Sequence, residues 1–304
     1  MRRLLAYFIL VALPLLFSCG KAQQEAVPVN LKESSSWQRA QWENCEREFH
    51  KHLDPGVREK EMRTLDAAYV AISRADGGWE ESRTLSFETD GVPSEAVYVK
   101  DGEKASLDIF RKGALVGQFR KDGDVYSGES TGIRLDANPL VYSSTRVEAN
   151  ITLAVDGVVL GTFEANGPME NVEVSQDIIT GISFRGCVDA DGLWKTLREL
   201  TDAETEEDAV PLVEKAASAI DIKVYYEGDL SEARGYLTVV PLHYKNRYDD
   251  YWTWELVLMA ADGTKVDRNT FFVDQFMASD NDEKSAFYNA WNNLLPHILR
   301  AVVL

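Results

Sequence analysis

Residues 79–186 carry turn signals at a nearly constant interval, and this spacing limits the possible folds more than any other feature of the sequence. Asp-Gly or Lys-Gly pairs occur at 90–91, 101–102, 112–113 and 122–123. Short segments rich in β-branched and aromatic residues lie between these pairs. Turn signals at intervals of about 8 to 12 residues are typical of antiparallel strands joined by hairpins. The sequence therefore predicts an antiparallel β meander, built as a sandwich or barrel.

A further hairpin signal lies in the second half of the same region. Between residues 147 and 155, apolar residues occupy every other position, which is the period of a strand with one buried face. Asp156-Gly157 follows, and the strand-like segment VVLGTFEA, residues 158–165, continues the chain. A two-residue Asp-Gly loop suits the type I′ turn, whose twist matches that of paired strands. These residues predict a tight hairpin.

The segment before the meander, residues 36–78, has the helical period instead. Ser35 and Gln38 fit a capping box, and apolar or aromatic residues then recur at about every fourth position. Asp54-Pro55 is a second start signal, and Asp76-Gly77-Gly78 ends the pattern. Because the joint between the two helices is short, the sequence predicts an antiparallel helical hairpin.

Residues 187–304 mix both periods. Helical segments are predicted after Asp191-Gly192 and over 210–219, and strand-like segments follow up to about residue 276. The chain ends on an amphipathic helical pattern, which is predicted to pack on these strands. The predicted fold class is α+β: an N-terminal helical hairpin, an antiparallel β meander (sandwich or barrel) and a C-terminal small antiparallel sheet with flanking helices.

The first 18 residues have the features of a secretory signal peptide. Two arginines precede fourteen uncharged residues, 4–17, whereas a membrane-spanning helix needs about 20 apolar residues. The run ends at Leu16, Ser18 and Cys19. This arrangement resembles the lipobox of bacterial lipoproteins, apart from the large Phe17. The resemblance implies cleavage before Cys19, a diacylglycerol thioether on its sulfur and acylation of the new amino terminus.

The residues after Cys19 bear on where the protein is held. Positions 20–35 are polar and have no sustained apolar period, so they predict a flexible tether. In the lipoprotein family, an Asp directly after the Cys favours retention at the inner membrane, and this chain has Gly20 there. The resemblance therefore implies an exported protein anchored to a bacterial membrane, and to the outer membrane in cells that have one.

The charge of the chain limits its partners. The formal net charge is −18, from 50 Asp and Glu against 32 Lys and Arg. Such a surface repels the phosphates of nucleic acids and of anionic lipids, so neither is an expected partner of the folded surface. The membrane is expected to hold the protein through the N-terminal lipid.

Two cysteines remain once Cys19 carries lipid. Cys45 and Cys187 are a disulfide candidate, since exported proteins occupy oxidising compartments. The bridge would close a loop of about 140 residues, which the chain-entropy model associates with roughly 4 to 5 kcal/mol of stabilisation. The alternative is that the two are buried thiols that never meet.

An aromatic-rich hairpin around residues 246–250 supplies the candidate binding surface. Aromatic side chains with polar groups are enriched at binding surfaces, and in an envelope protein they suit stacking on a glycan. The alternative is that Trp252 and Trp254 alternate into the core of a half-buried strand. The candidate residues are Tyr248, Tyr251, Trp252 and Trp254.

The sequence predicts neither a catalytic nor a metal site. Glu46 and His50 lie four residues apart, as metal ligands on a helix can, but the spacing fixes no third ligand. Asp189 and Asp191 begin like a calcium loop but lack its later Gly and Glu, so they predict a turn before a helix. No nucleophile elbow or zinc-protease motif occurs, and no cofactor is expected.

These observations favour a lipid-anchored envelope protein of the binding or scaffold type, without catalytic activity. Its expected partner is an envelope protein or the cell-wall glycan. Two alternatives stay open: a hydrolase that acts on glycan or peptidoglycan through a carboxylate pair, and a carrier of an apolar ligand in the β domain. The predicted segments are a signal peptide (1–18), a lipidated tether (19–35), a helical hairpin (36–78), a β domain (79–186) and an α+β domain (187–304).

Overall fold

The computed structural model describes residues 40–41, 44, 47–48, 51–52, 55–143, 145–245 and 250–269. Its helices are α1 (Pro55–Arg74), α2 (Ala190–Thr201) and α3 (Glu206–Ser218), and a short 3-10 helix spans Gly78–Glu80. Its strands are β1 (Arg83–Thr89), β2 (Val92–Asp101), β3 (Lys104–Arg111), β4 (Ala114–Asp122), β5 (Val125–Ser130), β6 (Ile133–Tyr142), β7 (Arg146–Val155), β8 (Val158–Pro168), β9 (Val172–Ile178), β10 (Ile182–Val188), β11 (Ile220–Tyr226), β12 (Gly235–Lys245), β13 (Asp250–Ala260) and β14 (Lys265–Asn269).

The fourteen strands follow one another in chain order along a large antiparallel sheet. The predicted fold class, with a β meander and a separate small C-terminal sheet, is therefore wrong. β10 is paired with β9 on one side and with β11 on the other, and Cys187 lies opposite both Glu173 and Asp221. α2 and α3 are an insertion between β10 and β11, after which the chain returns to the same sheet.

The N-terminal part of the fold-class prediction is also corrected. In this region α1 is the helix whose bounds the structure gives, and the separate described residues 40–41, 44, 47–48 and 51–52 are also helical, but together they do not define the predicted helical hairpin. α1 begins at Pro55, where the sequence predicts the second helix of that hairpin to start. The predicted C-terminal helix lies outside the described residues.

Tight turns explain the regular spacing of the Asp-Gly and Lys-Gly pairs. At one end of the strands, two-residue loops have positive φ at both positions, as the type I′ turn requires. At the other end, Gly102 and Gly123 have positive φ and are the first residues of two-residue loops, which is the place of Gly in a type II′ turn. The predicted turns are thus confirmed. The loops with two positive φ values include Asp90-Gly91, Lys112-Gly113, Thr131-Gly132 and Asp156-Gly157.

The chain divides into two compact units, of which the first contains residues 55–141 and 149–162. In this unit α1 packs across β1 to β4. One face of these strands is buried and the other is more exposed and polar, as expected for an antiparallel sheet with one solvated face. The buried residues include Leu65, Ala68 and Ile72 of α1 and Ala96, Tyr98, Leu107, Ile109 and Phe119 of the sheet.

Arg58 joins α1 to two hairpin turns in the first unit. Its side chain is buried, its Nε donates a hydrogen bond to the Thr131 carbonyl at 2.9 Å, and its Nη2 donates to Oδ2 of Asp156 at 2.7 Å. The Asp156 amide in turn donates to the Gly132 carbonyl at 2.7 Å. Because a buried cation is costly without acceptors, these bonds hold the start of α1 against both turns.

The second unit contains the described residues 40–41, 44, 47–48, 142–143, 145–148, 163–245 and 250–269. α2 begins at Ala190, and the Oδ1 of its N-cap residue Asp189 accepts a hydrogen bond from the Gly192 amide at 2.7 Å. The helix predicted after Asp191-Gly192 therefore starts earlier, and Asp191 lies in its first turn instead of in a turn before it. α2 and α3 pack against β12 and β13 and contribute Leu193, Leu200 and Val213 to the core. Among the helices described, none has the length and apolar character needed to cross a membrane.

Candidate functional site

β12 and β13 form a two-stranded ribbon that continues beyond the neighbouring strand. They pair along Gly235–Lys245 and Asp250–Ala260, whereas β11 pairs only with the first three residues of β12. The Ala261 amide donates a hydrogen bond to the Arg234 carbonyl at the start of this pairing. Because backbone N–H groups alternate in direction along a strand, the N–H groups of odd-numbered residues in β12 point away from β13. Pro241 is one of them, and its missing N–H therefore costs no bond within the ribbon.

The ribbon carries a group of rings that we call the aromatic platform, defined as Pro241, His243 and Trp252. His243 and Trp252 lie opposite each other in the register, and their rings are stacked with centroids 4.4 Å apart and an interplanar angle of 8°. Pro241 and His243 are exposed, and Trp252 is half-buried. All three side chains are on the same face because opposite residues, and residues two apart along a strand, share a face.

The structure places the predicted binding residues in different environments. Trp254 is 5% exposed and belongs to the core, as the alternative interpretation has it. Trp252 is part of the aromatic platform, and Tyr251 is half-buried on the opposite face of the ribbon. Tyr248 lies outside the described residues.

Pro241 and His243 are the two platform residues that the sequence analysis does not predict, and His243 is the one that stacks on Trp252. Its place follows from the pairing of β12 with β13, which sets His243 opposite Trp252. The sequence contains one signal for this pairing, the predicted turn around residues 246–250 that folds the two strands back on each other.

The structure describes only one of the three cysteines. Cys187 is half-buried on β10 and has no bonded sulfur among the described residues. Cys19 and Cys45 lie outside those residues, so lipidation of Cys19 and the Cys45–Cys187 disulfide stay predictions. Glu46 and His50 also lie outside them. In the part of the chain that the structure describes, no group of three or more His, Cys, Asp or Glu is placed to hold a metal ion.

Three described carboxyl groups have a pKa below the usual value for Asp, and hydrogen bonds from nearby residues cause each shift. Burial raises the pKa of Asp177, but hydrogen bonds from the Ser183 hydroxyl at 2.6 Å and from the Arg185 guanidinium outweigh burial and lower it overall. Hydrogen bonds from Ser231 lower the pKa of Asp229, and those from Thr264 lower the pKa of Asp262. These carboxylates are therefore stabilised in the charged form, as acceptors.

A buried amide in the second unit has no partner for its nitrogen. Gln176 of β9 is 3% exposed, and its Nε2 makes no hydrogen bond among the described residues. It lies opposite Phe184 in the register, and Phe184 lies opposite Val224, so the surrounding sheet face is apolar. A buried amide without a partner costs on the order of 1 to 3 kcal/mol in proteins, which makes this position unusual.

Compared with models of known protein families and with curated protein sequences, the chain matches none of them.

Proposed function

We propose that the chain is a lipid-anchored envelope protein that binds the glycan of the cell wall through the aromatic platform. The observation that supports this binding role is the stacked His243–Trp252 pair, whose rings are partly open to solvent on a ribbon. The face of an aromatic ring carries partial negative charge. The C–H groups of a sugar ring carry small positive charge, so they pack favourably on such a face. The lipobox resemblance at Cys19 supports the location.

The charge of the protein also favours a sugar over other envelope partners. A chain with a net charge of −18 repels strongly acidic polymers, whereas the N-acetylated sugars of a wall backbone include neutral units. A stacking surface needs no charge on its ligand. The aromatic platform and the acidic surface are therefore compatible with a neutral glycan and unfavourable for an anionic one.

Substitution of Trp252 by Ala should weaken binding to purified cell-wall glycan by tenfold or more, because aromatic anchors dominate the binding energy of such surfaces. The measurement is co-sedimentation of the detergent-solubilised full chain with insoluble wall glycan across a concentration series. Tyr236→Ala is the matched control, since Tyr236 is an exposed aromatic residue of β12 on the opposite face. Equal binding by Trp252→Ala and the unaltered chain would contradict the proposal.

The hydrolase alternative receives no support from the three carboxyls with a shifted pKa. A glycosidase general acid needs a raised pKa, so that it is protonated near neutral pH. Asp177, Asp229 and Asp262 have lowered values, each fixed by neighbouring donors. These residues are suited to holding turns and strands in place rather than to donating a proton.

The carrier alternative is favoured by one observation, the buried amide of Gln176. An apolar ligand with a single hydrogen-bond acceptor, such as the carbonyl of an acyl chain, would satisfy Nε2 in these apolar surroundings. Native mass spectrometry of the protein after gentle extraction should then show a bound lipid that Gln176→Met loses. Loss of the ligand with an unchanged or higher Tm would identify Gln176 as a ligand contact, and a ligand-free unaltered chain would remove this alternative.

A further inference from the structure

We infer that Arg111 and Thr89, in the first unit, form a binding site for a phosphate group. The two residues lie at the end of β3 and the end of β1, on the sheet face that α1 covers. This inference is independent of the aromatic platform, which belongs to the other unit. It starts from two hydrogen-bond donors that are buried without an acceptor.

The first donor is the guanidinium of Arg111. Its side chain is only 14% exposed, and its Nε is buried without a hydrogen-bond partner among the described residues. In its ion pair with Asp90, Nη2 lies 3.8 Å from the carboxylate Oδ2, which is too long for a hydrogen bond. A buried guanidinium N–H without an acceptor is costly, so a missing acceptor is expected at Nε.

The second donor is the hydroxyl of Thr89. Thr89 is 8% exposed, and its Oγ1 is also buried without a partner among the described residues. Ser94, which lies between the two on β2, is satisfied instead, because its hydroxyl donates to the Val92 carbonyl at 3.3 Å. Along this part of the sheet face, the unsatisfied donors are therefore those of Thr89 and Arg111, whereas Ser94 between them has an acceptor.

The sheet register brings these two donors to the same place. Arg111 is opposite Ser94, Ser94 is opposite Phe87, and Thr89 is the next residue of β1 on the same face. Arg111 extends across β2 to within 3.8 Å of Asp90, which directly follows Thr89. Its guanidinium thus lies beside the β1–β2 turn, where the Thr89 hydroxyl is also found.

Although the net charge of −18 opposes the binding of anions over the surface as a whole, the local charges around this turn favour an anion with more than one negative charge. Arg63 of α1 places its Nε 3.3 Å from the same Oδ2 of Asp90, so two guanidinium groups share that oxygen. Lys112 follows Arg111 directly. The Asp90 carboxylate weakens the site for any anion, and a phosphate dianion gains more from the two guanidiniums than a carboxylate does. An ordered water could satisfy one donor, but it would leave two guanidinium groups with the single negative charge of Asp90 between them.

Inorganic phosphate is the probe for this site. Isothermal titration of the full chain in detergent, at constant ionic strength, should show saturable binding with one phosphate per chain and weaker binding of acetate. Arg111→Gln should weaken phosphate binding at least tenfold, and Thr89→Val should weaken it about three- to tenfold, because hydrogen bonds to charged groups contribute more than neutral ones. Thr89→Val keeps the size of the side chain and therefore reports on the site even if Arg111→Gln fails to fold.

Arg120→Gln is the matched control. Arg120 is an exposed arginine in the same sheet, paired with Asp108 at 2.7 Å. The inference is wrong if the unaltered chain shows no saturable heat, if neither site variant weakens binding, or if Arg120→Gln weakens it as much as Arg111→Gln. A second titration distinguishes a lipid headgroup from free phosphate as the ligand of this site. It uses a short-chain phosphatidic acid below its micelle concentration. Tighter binding than that of inorganic phosphate indicates a lipid headgroup, and equal binding indicates free phosphate.

Discussion

Substitution of Gly186 by Ala should destabilise the protein by about 3 kcal/mol or more, and lower its Tm by roughly 6 to 12 °C. Gly186 lies in β10 between β9 and β11, opposite Val174 and Ile222. A Cβ at this position would lie 1.8 Å from the Asp221 carbonyl oxygen and 2.8 Å from the Ile222 Cα. Both contacts are with backbone, so no side-chain rotation relieves them. The strands must separate, and their ladder is disrupted.

Gly102→Ala is the control that separates the effect of this backbone clash from the ordinary cost of replacing a glycine by alanine. Gly102 has a φ of +60°, and a Cβ there would have no heavy atom within 4 Å, so Gly102→Ala should cost only about 1 kcal/mol. The measurement is thermal unfolding of both variants and the unaltered chain in the same detergent. A Tm for Gly186→Ala within about 2 °C of the unaltered chain would show that β10 and β11 do not approach as described.

Substitution of Cys19 by Ala should abolish lipid attachment. The resemblance to the lipobox implies that the sulfur of Cys19 carries a diacylglycerol group, and each buried methylene of such chains contributes about 0.8 kcal/mol of membrane affinity. Loss of two or more chains therefore removes the stable anchor. Metabolic labelling with palmitate, followed by separation of membrane and soluble fractions, should show no label and release of the Cys19→Ala variant.

Cys187→Ala is the control for the labelling experiment. Cys187 is half-buried on β10 and far from the signal peptide in sequence, so its removal should leave label and membrane association intact. Palmitate incorporated into Cys19→Ala at the level of the unaltered chain would refute the lipobox interpretation. Peptide mass spectrometry of the same samples without reduction also reports whether Cys45 and Cys187 are bonded.

Local features of the fold could be predicted from sequence because they depend on neighbouring residues. Each Asp-Gly or Lys-Gly loop needs positive φ at its Gly, and Gly adopts such a conformation without steric cost. The start of α2 at Ala190 is fixed by the cap hydrogen bond of Asp189, which lies within four residues. Such signals need no knowledge of distant strands.

The continuity of the sheet could not be predicted in this way. β10 and β11 are separated by α2 and α3, and their pairing depends on the fit of Gly186 against Asp221 and Ile222, which no local pattern reveals. The switch to helical period after residue 188 indicated a new sheet, whereas it marks an insertion into one. The pairing of His243 with Trp252 was missed for the same reason, since it depends on the register between two strands.

The most direct test of glycan binding observes Trp252 itself. The full chain is labelled with 5-fluorotryptophan, and its seven tryptophans are followed by ¹⁹F NMR as an oligomer of N-acetylglucosamine is added. Trp252→Phe and Trp79→Phe assign the two relevant signals. Stacking on the aromatic platform predicts a saturable shift of the Trp252 signal and a constant signal for Trp79, which is buried in the first unit. A Trp252 signal that stays unchanged at the highest glycan concentration would contradict the proposed function.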